Sequence, residues 1–144
     1  MTSTIRLFRV IMPVTDISAA SRFYSALFDN PGFRVSGGRH YFDCGGVILA
    51  VYDAQADGDH TAVRSNAEHV YFAVPDLEAV FKRAERLGRL SSKVGDGNLP
   101  MGAIVRRPWG EVSFYLDDPS GNPLCFVDEK SIYRGPKEAK PPGM

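Results

Sequence analysis

The chain has 144 residues, 44% of them hydrophobic, and its 17 basic and 17 acidic side chains leave a formal charge of zero. That length suits one domain with a sizeable core, and the even charge offers no basic face for nucleic acid or an anionic membrane. Two cysteines, a start without the apolar run of an export signal, and no stretch long enough to span a bilayer point to a reduced, cytoplasmic protein without a disulfide.

Residues 5–14 read as a strand, with Leu7, Arg9 and Ile11 on one face and Phe8, Val10 and Met12 on the other. Thr15-Asp16 supplies a helix cap, after which Ala19, Ala20, Phe23, Tyr24, Leu27 and Phe28 recur at helical spacing until Asn30-Pro-Gly32 stops them. Short strands follow over 33–36, 39–43 and 47–52, punctuated by Gly37-Gly38 and Gly45-Gly46. Residues 53–66 have no periodicity and form a linker.

The pattern then starts again. Residues 69–77, HVYFAVPDL, align with residues 9–17, RVIMPVTDI, placing Asp76 where Asp16 stands as cap. A helix over about 77–87 ends at Gly88, a loop covers 95–100, and a strand over 103–107 leads into a hairpin. In that hairpin Val112, Phe114 and Leu116 alternate with Ser113 and Tyr115. Asp118-Pro-Ser-Gly-Asn122 makes the turn, and residues 124–127 return. The chain is therefore expected to be α+β, two βαβββ modules whose sheets curve around a concave pocket. Module 1 covers about 5–52 and module 2 about 67–129, within a single domain over 1–130. Residues 131–144, rich in proline and charge, read as a loosely held tail.

Pro108-Trp-Gly followed by Asp118-Pro-Ser-Gly-Asn-Pro and an apolar strand resembles the last hairpin of the vicinal oxygen chelate superfamily, which includes glyoxalase I, extradiol dioxygenases and bleomycin-resistance proteins. The likeness is nearest to the bleomycin-resistance branch. Metal enzymes of that superfamily place ligands on the first and last strand of each module. Carried over, these positions fall on Arg9, Leu49, His69 and Cys125. Arginine repels a divalent ion and leucine has no lone pair, so the usual site is not matched and no metal or other cofactor is expected. His40 and His60 are the remaining histidines, and no motif places either at such a site.

Strand parity and the resemblance together nominate Arg9, Leu49, Val51, His69, Tyr71, Trp109, Ser113, Tyr115 and Cys125 as the wall of a ligand cup. Its aromatic rings would offer a platform for a flat molecule. For Arg9 three partners stay open: Glu111, a ligand carboxylate, or a second subunit. The leading expectation is metal-independent binding of a small organic ligand, aromatic or acidic, by a homodimer, with sequestration of a drug or metabolite as its use. The alternatives are a superfamily enzyme (lyase, isomerase or dioxygenase) with an altered metal site, and a partner protein whose concave face its own side chains fill.

Overall fold

A computed structural model describes residues 4–136. Module 1 contains β1 (Arg9–Pro13), α1 (Ile17–Phe28), β2 (Phe33–Ser36), β3 (Arg39–Cys44) and β4 (Val47–Tyr52). Module 2 contains β5 (Val70–Val74), α2 (Leu77–Leu87), β6 (Val105–Arg106), β7 (Val112–Asp117) and β8 (Pro123–Asp128). The sheets run β1-β4-β3-β2 and β5-β8-β7-β6, each with one parallel pair, first strand on last, and antiparallel pairs elsewhere. The fold is thus α+β, with the βαβββ unit used twice, and the sheets do not close into a barrel.

The helix signals work as their chemistry dictates. Asp16 and Asp76 each accept the N–H three residues on, from Ala19 and Ala79, which satisfies one orphan donor of the first turn. Gly88 ends α2 in the left-handed conformation. α1 ends at Phe28, just before its Asn-Pro-Gly, where Asp29 adopts φ 51° and turns its N–H back to the Ser25 carbonyl. Gly32 is then needed for space. A Cβ there would lie 2.6 Å from the Tyr41 carbonyl and 2.7 Å from the Phe42 ring.

One core serves both modules. Val10 and Met12 of β1, with Val14 just after it, meet Tyr24 and Leu27 of α1, while Phe72, Phe114 and Phe126 lie under α2. Phe28 bridges them, with ring centroids 5.3 Å from both Phe42 and Phe72. The Asp-Pro-Ser-Gly-Asn turn is a bolt as well as a turn. Asp118 is fully buried, and its Oδ2 accepts the Tyr24 hydroxyl of α1 at 2.7 Å and Asn122 Nδ2 at 2.8 Å. Asn122 Nδ2 also donates to the Pro13 carbonyl, and its Oδ1 accepts the Asn66 N–H. Burial and the neighbouring Asp118 charge push the Tyr24 hydroxyl pKa up, so it stays a donor.

Four expectations need correction. Strand β1 begins at Arg9 rather than Ile5, because its sheet neighbour β4 begins only at Val47. The strand expected over 103–107 shrinks to Val105–Arg106. Residues 131–133 are held rather than loose: Ser131 Oγ accepts the Val112 N–H and Ile132 packs on the module 2 sheet, while residues 137–144 lie outside the described residues. Leu49 and Val51 face the helix, not the cup. Leu49 pairs with Val10 and Val51 with Met12, whereas Arg9 and Ile11 share their face with Ile48 and Ala50. β4 is apolar on both faces, so its composition carries no alternation to read, and a one-residue slip reverses every side chain.

Candidate functional site

The open face of the module 2 sheet is built from every second residue of its strands. Tyr71, Cys125 and Tyr115 form one cross-strand row, and Ala73, Val127 and Ser113 the next. His69, just before β5, sets its ring 5.0 Å from Tyr115 and 6.3 Å from Tyr71, and the two tyrosines lie 6.5 Å apart. Met101 and Ile132 pack over Tyr115, Cys125 and Val127, so the chain fills part of its own cup. Beside them a recess of about 460 Å³ remains, lined by Tyr71, Ala73, Trp109, Glu111, Val127 and Tyr133. Trp109 Nε1–H donates to Glu111 Oε1 at 2.7 Å and the Tyr133 N–H to Oε2 at 3.0 Å, which fixes the indole as one wall.

Six of the nine nominated residues therefore gather on or beside this face: His69, Tyr71, Trp109, Ser113, Tyr115 and Cys125. Arg9 stands on the module 1 sheet, its guanidinium 5.1 Å from the Phe8 ring and 5.7 Å from Tyr41. Glu111, one partner considered for it, is engaged by Trp109 and Tyr133 instead. Leu49 and Val51 lie in the core.

Arg107, which the sequence sets near the expected cup, packs against this face. It is only 4% exposed, donates to Ser113 Oγ and to the carbonyls of Pro100, Met101, Ala103 and Ser113, and stacks 4.9 Å from the Tyr115 ring. No carboxylate pairs with it among the described residues. Burial lowers its pKa, with Tyr115 and Cys125 opposing that shift. Alternation was the available signal: Val105 pairs with Ser113, so Arg107 returns to the same face two residues later.

The residues present do not fit a divalent metal. Register makes Ala50, not Leu49, the module 1 counterpart of Cys125, and neither side chain can ligate. Arg9 is cationic. Burial pushes the Cys125 thiol up to about 11, only partly offset by hydrogen bonds with Ser113 and Tyr115 and by the Arg107 charge, so it is a neutral thiol at pH 7. His40 is committed elsewhere, its Nε2 to the Pro31 carbonyl and its Nδ1 to Arg34 Nε, and His60 lies exposed in the linker. Among the described residues no group of three or more His, Cys, Asp or Glu side chains is placed to hold a metal ion. Burial also raises the pKa of Tyr71 and Tyr115, so both hydroxyls remain protonated donors.

Two βαβββ modules sharing one core, with an aromatic recess on the open sheet, define a glyoxalase-type domain. The chain belongs to the Glyoxalase/Bleomycin resistance protein/Dioxygenase superfamily, whose family model matches residues 6–126. Among solved structures it resembles a lactoylglutathione lyase from Agrobacterium tumefaciens, at 24% identity over 90% of this chain and 97% of that one, with a TM-score of 0.63. A glyoxalase/bleomycin resistance protein/dioxygenase from Nocardioides is 20% identical over 97% of this chain and 91% of its own, with a TM-score of 0.61. A glyoxalase-related enzyme from Fulvimarina pelagi is 16% identical over 85% and 87%, at 0.64. Such likenesses show the fold and leave chemistry to the site. No curated protein matches the chain. No helix among the described residues is long and apolar enough to cross a membrane.

Proposed function

We propose that the chain is a small-molecule binding protein that holds a flat aromatic ligand in the recess between Tyr71 and Trp109, without a metal, and acts by sequestering it. The observation that carries this reading is the fixed aromatic wall. The Trp109 indole is locked by Glu111 opposite a half-exposed tyrosine, a geometry that gives stacking area at little entropic cost. Arg134, also on the lining, favours a carboxylate or phenolate on the ligand. Glu111 already accepts two N–H donors, which moderates its repulsion of such a group.

Titrating 2-naphthoate while following Trp109 fluorescence tests this. Saturable quenching that is unchanged by chelator and lost in Tyr71→Ala is expected. Absence of quenching, or quenching abolished by chelator, overturns it. The open face of the module 1 sheet, where Ile11 is 47% exposed and Phe33 55%, supports a homodimer as the working form. Sedimentation at micromolar concentration is expected to give twice the monomer mass, and a monomer there removes this part of the reading.

A second reading, a superfamily enzyme with an altered metal site, draws on His69, which stands half-buried within the aromatic cluster. Stoichiometric Fe, Mn, Ni or Zn in protein purified without chelator, lost in His69→Ala, would select it.

A further inference from the structure

A second cavity, of about 540 Å³, lies at the seam between the modules and shares only Tyr71, Phe72 and Ala73 of β5 with the aromatic recess. β1 and β5 are both edge strands, each paired on one side only, and the cavity lies between them. Its walls are the helix-facing side chains Val10, Leu49, Phe72 and Phe126, closed below by Leu27 and Val80 of the two helices. Those residues are apolar, so the space would hold water poorly.

One cation stands on the wall. Arg83 Nε donates to the Leu27 carbonyl at 2.9 Å, at the end of α1, and this bond fixes the guanidinium beside the cavity. Among the described residues its two terminal nitrogens have no hydrogen-bond acceptor and Arg83 makes no ion pair. Asp43, also on the lining, turns its Oδ1 to the Gly46 N–H of its own turn. An apolar slot with an anchored guanidinium that still has donors to give is complementary to one chemical class. That class is a molecule with an aliphatic body and a single carboxylate.

We propose that this inter-module cavity binds an aliphatic monocarboxylate, its chain between the β1 and β5 edges and its carboxylate on Arg83. The site is independent of the aromatic recess, although the edge of β5 borders both. Because it touches α1, α2 and both edge strands, a bound chain would stiffen the joint between modules.

Decanoate is the probe, with decanol as its uncharged counterpart, and binding is read by calorimetry and by amide shifts in labelled protein. Decanoate is expected to bind the wild type and to shift amides of Val10, Val70 and Phe72 while leaving Trp109 Nε1–H unmoved. In Arg83→Met its affinity is expected to fall about tenfold or more, the lower end for loss of a charge-assisted bond. Decanol affinity is expected to stay unchanged, which also shows that the variant is folded. Arg83→Lys, which keeps the charge, is expected to recover part of the loss. No decanoate binding, equal decanoate affinity in wild type and Arg83→Met, or shifts centred on Trp109 and Tyr133 would each overturn the proposal. Failure of naphthoate to enter the recess leaves these readouts untouched, so the two ideas fail separately.

Discussion

The module 2 sheet is closed over by its own chain on the side away from the helix, where Met101, Ile132 and the buried Arg107 cover Tyr115, Cys125 and Val127. The corresponding side of the module 1 sheet carries Ile11, Ala50, Tyr41 and Phe33 in one cross-strand row, with Ile11 and Phe33 largely exposed. The backbone plan is the same, so the difference comes from what is inserted. Module 2 has the long loop between α2 and β6 and the turn after β8. Module 1 has only a short link between α1 and β2 in the first position. Duplication supplies two equivalent faces, and the connections decide which is finished internally and which is left for another molecule.

That contrast holds only if both sheets hang on the shared core, so the largest effects are expected there. Phe126 stacks between Phe72 and Phe114, at 5.0 and 5.6 Å, and is 2% exposed. Phe126→Ala is expected to cost about 3–5 kcal/mol in urea unfolding, the usual loss for a buried ring. A loss below about one would mean that the stack does not bear on stability. Asp118→Ala removes the acceptor of Tyr24 and leaves Asn122 half-satisfied, and is expected to cost about 3 kcal/mol. If the bolt joins the modules, this variant should also lose the coincidence of unfolding transitions seen by module 1 and module 2 probes.

A matched pair of surface changes tests the contrast directly. Ile132→Ser uncovers part of the module 2 face and is expected to cost about 1 kcal/mol, because Ile132 packs on a buried cluster. Ile11→Ser changes an exposed residue on the module 1 face and is expected to alter monomer stability by less than about 0.5 kcal/mol. Its effect should appear instead as a loss of self-association on dilution. Equal costs in the two variants would erase the distinction between the faces.

Most of the frame was legible because its signals are local. The aspartate caps, Gly88, the Asp-Pro-Ser-Gly-Asn turn and the alternation of β7 each act within a few residues of themselves. The module 2 face was legible for the same reason, since β5 and β7 alternate clearly. β4 was not, because Val47-Ile-Leu-Ala-Val51 is apolar throughout and only its pairing with β1 assigns the faces. The role of the Asp118 carboxylate was half legible: its turn chemistry shows in sequence, but its bond to Tyr24 spans the modules and has no local signature. Ile132 and Ser131 were read as tail because a proline-rich, charged stretch follows them, yet two short-range hydrogen bonds, from Lys130 N–H and Ser131 Oγ–H to Asp128, turn the chain back onto the sheet.

The smallest effect is the one that measures the cover itself. Cys44, at the end of β3, and Cys125, under Met101 and Ile132, both have thiols pushed up to about 11, chiefly by burial. At any pH between 7 and 10 their thiolate fractions should therefore be similar, so a difference in alkylation rate reports access rather than acidity. Cys44 is partly exposed and Cys125 is not. Iodoacetamide is expected to modify Cys44 slowly at pH 8, faster as pH approaches 11, and to leave Cys125 behind it throughout. The Ile132→Ser variant should narrow that gap and, because burial is the chief cause of the raised Cys125 pKa, lower the pH at which the Cys125 rate rises while leaving that of Cys44 in place. The linkage has a definite sign. Each native thiol holds its proton to about 11 while the unfolded thiol releases it near 9.0, so between those values the native state binds more protons. Stability is thus expected to be undiminished by these groups below pH 9 and to fall as pH rises towards 11. A Cys125 rate that matches Cys44 in the wild type would show that Met101 and Ile132 do not cover the module 2 face.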